Sequence, residues 1–107
     1  KYRDSVDWYT ICENQNLTNK FIEKHIEYID NKLCWNIISS NQNLSQYFME
    51  KYKDKLDWDL IALYQKKLTL DLIIRNKDKI KWKYFRINGY YDLEFKDGVR
   101  DILLYEK

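Results

Sequence analysis

Four tryptophans set the register of this chain: Trp8, Trp35, Trp58 and Trp82 stand 27, 23 and 24 residues apart. The same letters return around each of them, most plainly where NQNLTNKFIEK at 14–24 is answered by NQNLSQYFMEK at 41–51. A period of this length is the mark of a tandem array, and it overrides any reading made window by window. Four residues before each tryptophan stands a turn-former: Asp4, Asn31, Asp54 or Asp78. Two before it stands Val6, Leu33, Leu56 or Ile80, and three after it Ile11, Ile38, Ile61 or Phe85. Seven after it come Gln15, Gln42 and Gln65, with Gly89 in the last copy. Leu17, Leu44, Leu68 and Tyr91 follow, each ahead of a capping residue, Thr18, Ser45, Thr69 or Asp92; the third copy has one extra residue before Leu68.

These positions predict two helices per copy. With Asp7 or Asp57 as N-cap, the aliphatic residue before it and Ile11 or Ile61 form a hydrophobic staple. The second helix repeats the device, with Thr18 or Ser45 as N-cap, Leu17 or Leu44 before it and Ile22 or Met49 in the first full turn. The four extra residues of the first copy fall in FIEKHIEYIDNK, and they are expected to add one turn to its second helix, with His25 packing where Tyr52 packs in the next copy. The predicted fold is all-α, a short α-solenoid of about four helix-turn-helix repeats in a single domain over residues 1–107. The repeats run about 5–31, 32–54, 55–78 and 79–107, the last being a degenerate cap. No such pair buries its apolar face alone, so stacking is required. The expected seam anchors are Trp8, Trp35, Trp58 and Trp82 with Ile11, Ile38, Ile61 and Phe85, joined by Phe21, Phe48 and Phe95. Gln15, Gln42 and Gln65 are expected to hydrogen-bond turn backbone as a ladder of amides. KYRDSVDW at 1–8 matches KYKDKLDW at 51–58, so the chain reads as a fragment of a longer array that starts in the tail of a second helix. At the other end Lys96 replaces the apolar residue of the staple, and DGVRDILLYEK reads as a last helix.

Composition agrees with helices. Proline is absent and glycine occurs only at Gly89 and Gly98, so the punctuation of an all-β chain is missing. Hydrophobic residues make up 45% and aromatics 17% of the chain, enough for a core beside a 34% charged share. No long apolar run and no signal-peptide pattern occur, which predicts an unsecreted cytoplasmic protein with no membrane contact. Cys12, Cys34 and His25 lack the spacing of a metal site; the cysteines read as small apolar residues in a reducing compartment. The Asn16–Thr18 and Asn43–Ser45 acceptor patterns read as helix starts. Nothing resembles a phosphate loop or a nucleophile setting, so no enzyme activity, cofactor or small-molecule substrate is expected.

The unit W-x-x-I-x-x-x-Q-x-L-[ST]-x-x-F-[IM]-x-K, followed by D-K-L-D-W, resembles tandem repeats of giant DNA virus and bacteriophage proteins over residues 1–85. That resemblance implies a viral or phage source, hence a host-cell cytoplasmic location and a host factor as partner; it names no activity and no catalytic residue. Repeat arrays usually present an extended surface to a protein, so a protein-binding or scaffolding module is the leading expectation, and a tyrosine content of ten suits an interface. The alternative is nucleic-acid binding. Residues 66–86 carry Lys66, Lys67, Arg75, Lys77, Lys79, Lys81, Lys83 and Arg86 against Asp71 and Asp78, a local net charge of +6 in a chain of net +2. Interleaved with Trp82 and Tyr84, such a segment suits phosphates and stacked bases or an acidic partner; equally, it suits a solvated turn between the third and fourth copies.

Overall fold

Capping side chains divide this chain into its helices. Asp7 accepts from the N–H groups of Tyr9 and Thr10 and starts α1 (Trp8–Asn14); Thr18 accepts from Phe21 and starts α2 (Asn19–Lys24). A single further turn, α3 (Ile26–Ile29), leads to α4 (Lys32–Asn41), capped by Asn31. Ser45 caps α5 (Gln46–Lys51), Asp57 caps α6 (Trp58–Tyr64) and Thr69 caps α7 (Leu70–Arg75). α8 (Trp82–Phe85) has no side-chain cap, whereas Asp92 caps α9 (Leu93–Leu104). Each such cap satisfies helix N–H groups that have no intrahelical partner, at about 1 kcal/mol apiece. The structure, a computed structural model, describes residues 7–105. Those residues form nine helices and no strand, so the fold is all-α. Asp4 and Val6, expected as turn-former and staple residue, lie outside the described residues.

The tryptophan-bearing helices form a row in which α1 packs on α4, α4 on α6 and α6 on α8, while α9 packs on both α7 and α8. The molecule measures 50 × 22 × 19 Å along its principal axes. Its core is continuous, running from Trp8, Cys12 and Ile22 through Trp35, Ile38, Phe48 and Met49 to Trp58, Ile61, Leu72, Ile73, Phe85 and Val99. Trp8 stacks on Tyr28 at 5.9 Å, and Trp35 packs on Phe48 at 6.3 Å and Tyr52 at 5.5 Å. Buried Trp35 and Trp58 each keep the indole N–H bonded, to Asp30 Oδ1 at 2.8 Å and to the Lys53 carbonyl at 2.8 Å. Ser39, fully buried, donates to the Trp35 carbonyl and accepts from the Asp57 N–H, tying α4 to the start of α6.

Four local details differ from the sequence expectation. The second helix of the first copy is not lengthened: it ends at His25, and the inserted residues make the separate turn α3. The reason is that His25, Tyr52 and Asn76 stop the second helix of their copies in one backbone conformation, near φ −111°, −108° and −118° with ψ about 26°, so the insertion falls beyond the stop. Leu33 is 64% exposed, because Cys34 cannot cap a helix and α4 is therefore capped three residues earlier, at Asn31, which turns Leu33 outward. Trp82 is only half-buried, on a helix of one turn that begins at the non-capping Lys81. Ile11 is half-buried as well, whereas Ile38, Ile61 and Phe85 are fully buried.

Candidate interaction surface

Of the three glutamines expected to bridge the turns, Gln42 and Gln65 do so between copies, whereas the exposed Gln15 side chain bonds to none of the described residues. The first helices α1, α4 and α6 each end on an extended residue, which leaves carbonyls of the last turn without an intrahelical donor. Gln42 Nε2 donates to the carbonyls of Cys12 at 2.6 Å and Gln15 at 2.8 Å, and Gln42 Oε1 accepts from the Leu17 N–H at 2.9 Å. One copy on, Gln65 Nε2 donates to Ser39 O at 2.8 Å and Gln42 O at 2.7 Å, and Gln65 Oε1 accepts from Leu44 N–H at 3.3 Å. In the last copy two residues divide the task. Asn88 Nδ2 donates to Ala62 O at 2.9 Å and Gln65 O at 3.0 Å, while the Tyr91 hydroxyl donates to Gln65 O at 2.8 Å and accepts from Leu68 N–H at 2.7 Å. The sequence alignment put Gly89 at this position; the amide comes from its neighbour, and Asn88 is fully buried. Burial pushes the Tyr91 hydroxyl up to about 12, against a smaller opposing effect of the hydrogen bond from Leu68.

A second, outer series of side chains runs the other way. Asn19, first residue of α2, donates to Asn43 O at 2.9 Å and accepts from Ser45 N–H at 2.7 Å. Gln46, first residue of α5, donates to Lys67 O and accepts from the Thr69 hydroxyl. The same position of α7 and α9 holds Leu70 and Leu93, 42% and 78% exposed. Ile74, one turn after Leu70 on the same face of α7, is 48% exposed. Between α7 and α9 lies a groove of about 420 Å³ lined by Leu70, Phe95 and Gly98 with Asp92 and Glu94. The surface thus changes from amides that grip the neighbouring copy to leucines that form no such bridge, and the first side chain after each of these caps carries that signal in the sequence.

The eight basic residues of 66–86 do not converge. Lys66 and Lys67 precede α7 and Lys77, Lys79 and Lys81 follow it, so a helix about 9 Å long separates the two groups. Arg86, two residues before Asn88, belongs with the Lys66 end. Among the described residues, Arg75 pairs with Asp71 at 3.1 Å, Lys79 with Asp78 at 3.9 Å and Lys81 with Asp59 at 3.9 Å. Lys66 lies over the Tyr90 ring at 5.2 Å, and Lys83 over that of Tyr84 at 5.1 Å. Lys77 is exposed in the turn after α7.

The remaining polar groups serve packing between copies. Glu23 accepts from Lys51 Nζ at 2.8 Å and the Tyr52 hydroxyl at 3.0 Å, and these bonds hold its carboxyl below the usual glutamate range. Asp30 is lowered likewise, first by Lys55 and then by the Trp35 indole. His25 packs against Phe21 at 4.4 Å and Trp8 at 5.1 Å, with Nδ1 3.1 Å from the Phe21 carbonyl. Cys12 and Cys34 are buried thiols, and burial pushes Cys12 up to about 12, with Cys34 beside it adding to the shift. Among the described residues no three His, Cys, Asp or Glu side chains gather to hold a metal, and no helix is long and apolar enough to cross a membrane. Comparison with protein-family models, with curated proteins and with solved structures finds no match to this chain.

Proposed function

We propose that the chain is a non-enzymatic binding module, a short α-solenoid of four stacked helix pairs folding as one domain, that engages a protein through the outer face of α7 and α9. The observation that carries the reading is that exposed Leu70 and Leu93 stand where the preceding copies use Asn19 and Gln46 to hold their neighbours, with Leu70 on an open groove and exposed Ile74 one turn along the same helix. Aliphatic side chains held exposed side by side along a groove mark an interaction site. Asp92 and Glu94 on the groove suit a partner segment that offers an apolar side chain flanked by lysine or arginine. The stacked-pair reading is supported by amide bridges that recur at the same place in each successive turn. A viral or phage source, and a host factor as the partner, rest on the resemblance of the repeat motif.

Nucleic-acid binding through residues 66–86 is the second reading. Its support is the exposed Lys66 and Tyr90 pair, a cation on an aromatic ring beside Lys67. One experiment separates the two. Capture from host-cell extract, with and without nuclease, is run with the native chain and with a Leu70→Asp, Leu93→Asp variant. Protein binding predicts a nuclease-resistant partner that the variant loses while its melting temperature is unchanged. Loss of all captured material on nuclease treatment, with an affinity that falls steeply as salt rises, supports nucleic acid instead.

A further inference from the structure

The two ends of the amide ladder are finished differently. At the C-terminal end, the carbonyl equivalent to those of Cys12, Ser39 and Ala62 is that of Arg86, and it accepts from Lys96 Nζ at 2.7 Å. Lys96 belongs to α9, so the last copy supplies a donor to this carbonyl from within itself. This explains why a lysine stands where the earlier copies place an apolar residue.

The N-terminal end has the opposite character. Gln15 is the first of the ladder glutamines, yet it is exposed and its side-chain amide bonds to none of the described residues. Asn16 and Thr18 occupy the turn positions that Asn43 and Ser45 fill in the next copy, where Asn19 bridges carbonyl and N–H; in the first copy both are exposed and none of the described residues bridges them. Lys24, equivalent to the Lys51 that meets Glu23 of the preceding copy, has no carboxylate among the described residues. One donor and acceptor amide, one turn awaiting a bridge and one cation therefore sit on the same end face, in the register in which Gln42, Ser45 and Lys51 receive the first copy.

We propose that this face is a docking surface for a helix pair of the same class, lying before α1 in the stacking order. Its chemistry is fixed by the established seams: a helix end with two free carbonyls and an N–H for Gln15, a side-chain amide for the Asn16–Thr18 turn, and a glutamate for Lys24. A second copy of this chain does not fit, because its exposed end is closed by Lys96. The proposal rests on the stacked-pair part of the functional reading and goes beyond it in assigning the end face and its ligand.

The test lengthens the chain. A copy of residues 31–50 joined ahead of residue 1 sets a new tryptophan 23 residues before Trp8, the spacing of Trp35 and Trp58. In the 107-residue chain Gln15→Ala leaves the melting temperature within a degree. In the lengthened chain the same substitution lowers it by about 5 °C or more, and circular dichroism gains helix in proportion to the added residues. No effect of Gln15→Ala in the lengthened chain, or added residues that stay unfolded, overturns the proposal. So does Gln15-dependent self-association of the native chain, which would make a second copy the occupant. Gln42→Ala in the native chain is the control. If it costs nothing, the stacked-pair reading itself fails; if it costs several degrees while Gln15 stays silent after lengthening, only the end-face proposal fails.

Discussion

Gln65 shows how much of this fold rests on single polar side chains. Its buried amide satisfies two carbonyls and one N–H, and its own backbone carbonyl receives Asn88 and Tyr91 in turn. Gln65→Ala strands three backbone groups at a seam, and at about 1–3 kcal/mol for each group left unsatisfied, softened by entering water, the expected loss is roughly 2–4 kcal/mol by denaturant titration. A loss below half a kcal/mol would mean that water replaces the amide without penalty. Tyr91 gives the ladder a pH dependence. Its folded pKa is raised from 10.0 to about 12, so the stability linked to it is complete below pH 10 and fades as pH climbs toward 12, where the unfolded chain ionises first. The expected loss is of order 1 kcal/mol after solvent screening. In Tyr91→Phe the alkaline slope becomes shallower, the rest being carried by buried Cys12 and by Tyr52, whose pKa values are raised as well; an unchanged slope would assign it wholly to those groups.

Among the helices, stability follows cap quality and burial. Trp58 is buried on a helix capped by Asp57, whereas Trp82 is half-buried on the one-turn α8 that lacks a capping side chain. Trp58→Ala is expected to cost about 3–5 kcal/mol and Trp82→Ala markedly less, read as the difference between their melting temperatures. Equal losses would show that burial is not what distinguishes the two copies. The same contrast marks what the sequence disclosed. Helix starts were legible because Asp7, Thr18, Ser45, Asp57, Thr69 and Asp92 announce themselves by type and spacing. Two details were hidden because they depend on a competition between neighbours. Asn31 displaces the start of α4 once Cys34 cannot cap, and His25 ends its helix ahead of the insertion by adopting the stop conformation shared with Tyr52 and Asn76.

Across the whole molecule, each tryptophan-bearing helix packs on the next within a body 50 Å long. Tryptophan spacing made that order of packing readable, but which helices would keep their outer amides was a matter of three-dimensional pairing: Asn19 and Gln46 find a following turn, and Leu70 and Leu93 are left facing solvent. The basic segment misled for the same reason, since adjacency in the chain put Lys67 and Lys77 together while α7 holds them at opposite ends. Each boundary between copies also carries a single backbone N–H whose acceptor is a side chain from the next copy: Leu17 from Gln42, Leu44 from Gln65 and Leu68 from Tyr91. These three amides are built-in reporters of three separate boundaries. Under hydrogen exchange followed by NMR, Gln65→Ala speeds deuteration at Leu44 selectively if the boundaries open one at a time, whereas simultaneous acceleration at all three would mean that the molecule breathes as a single body.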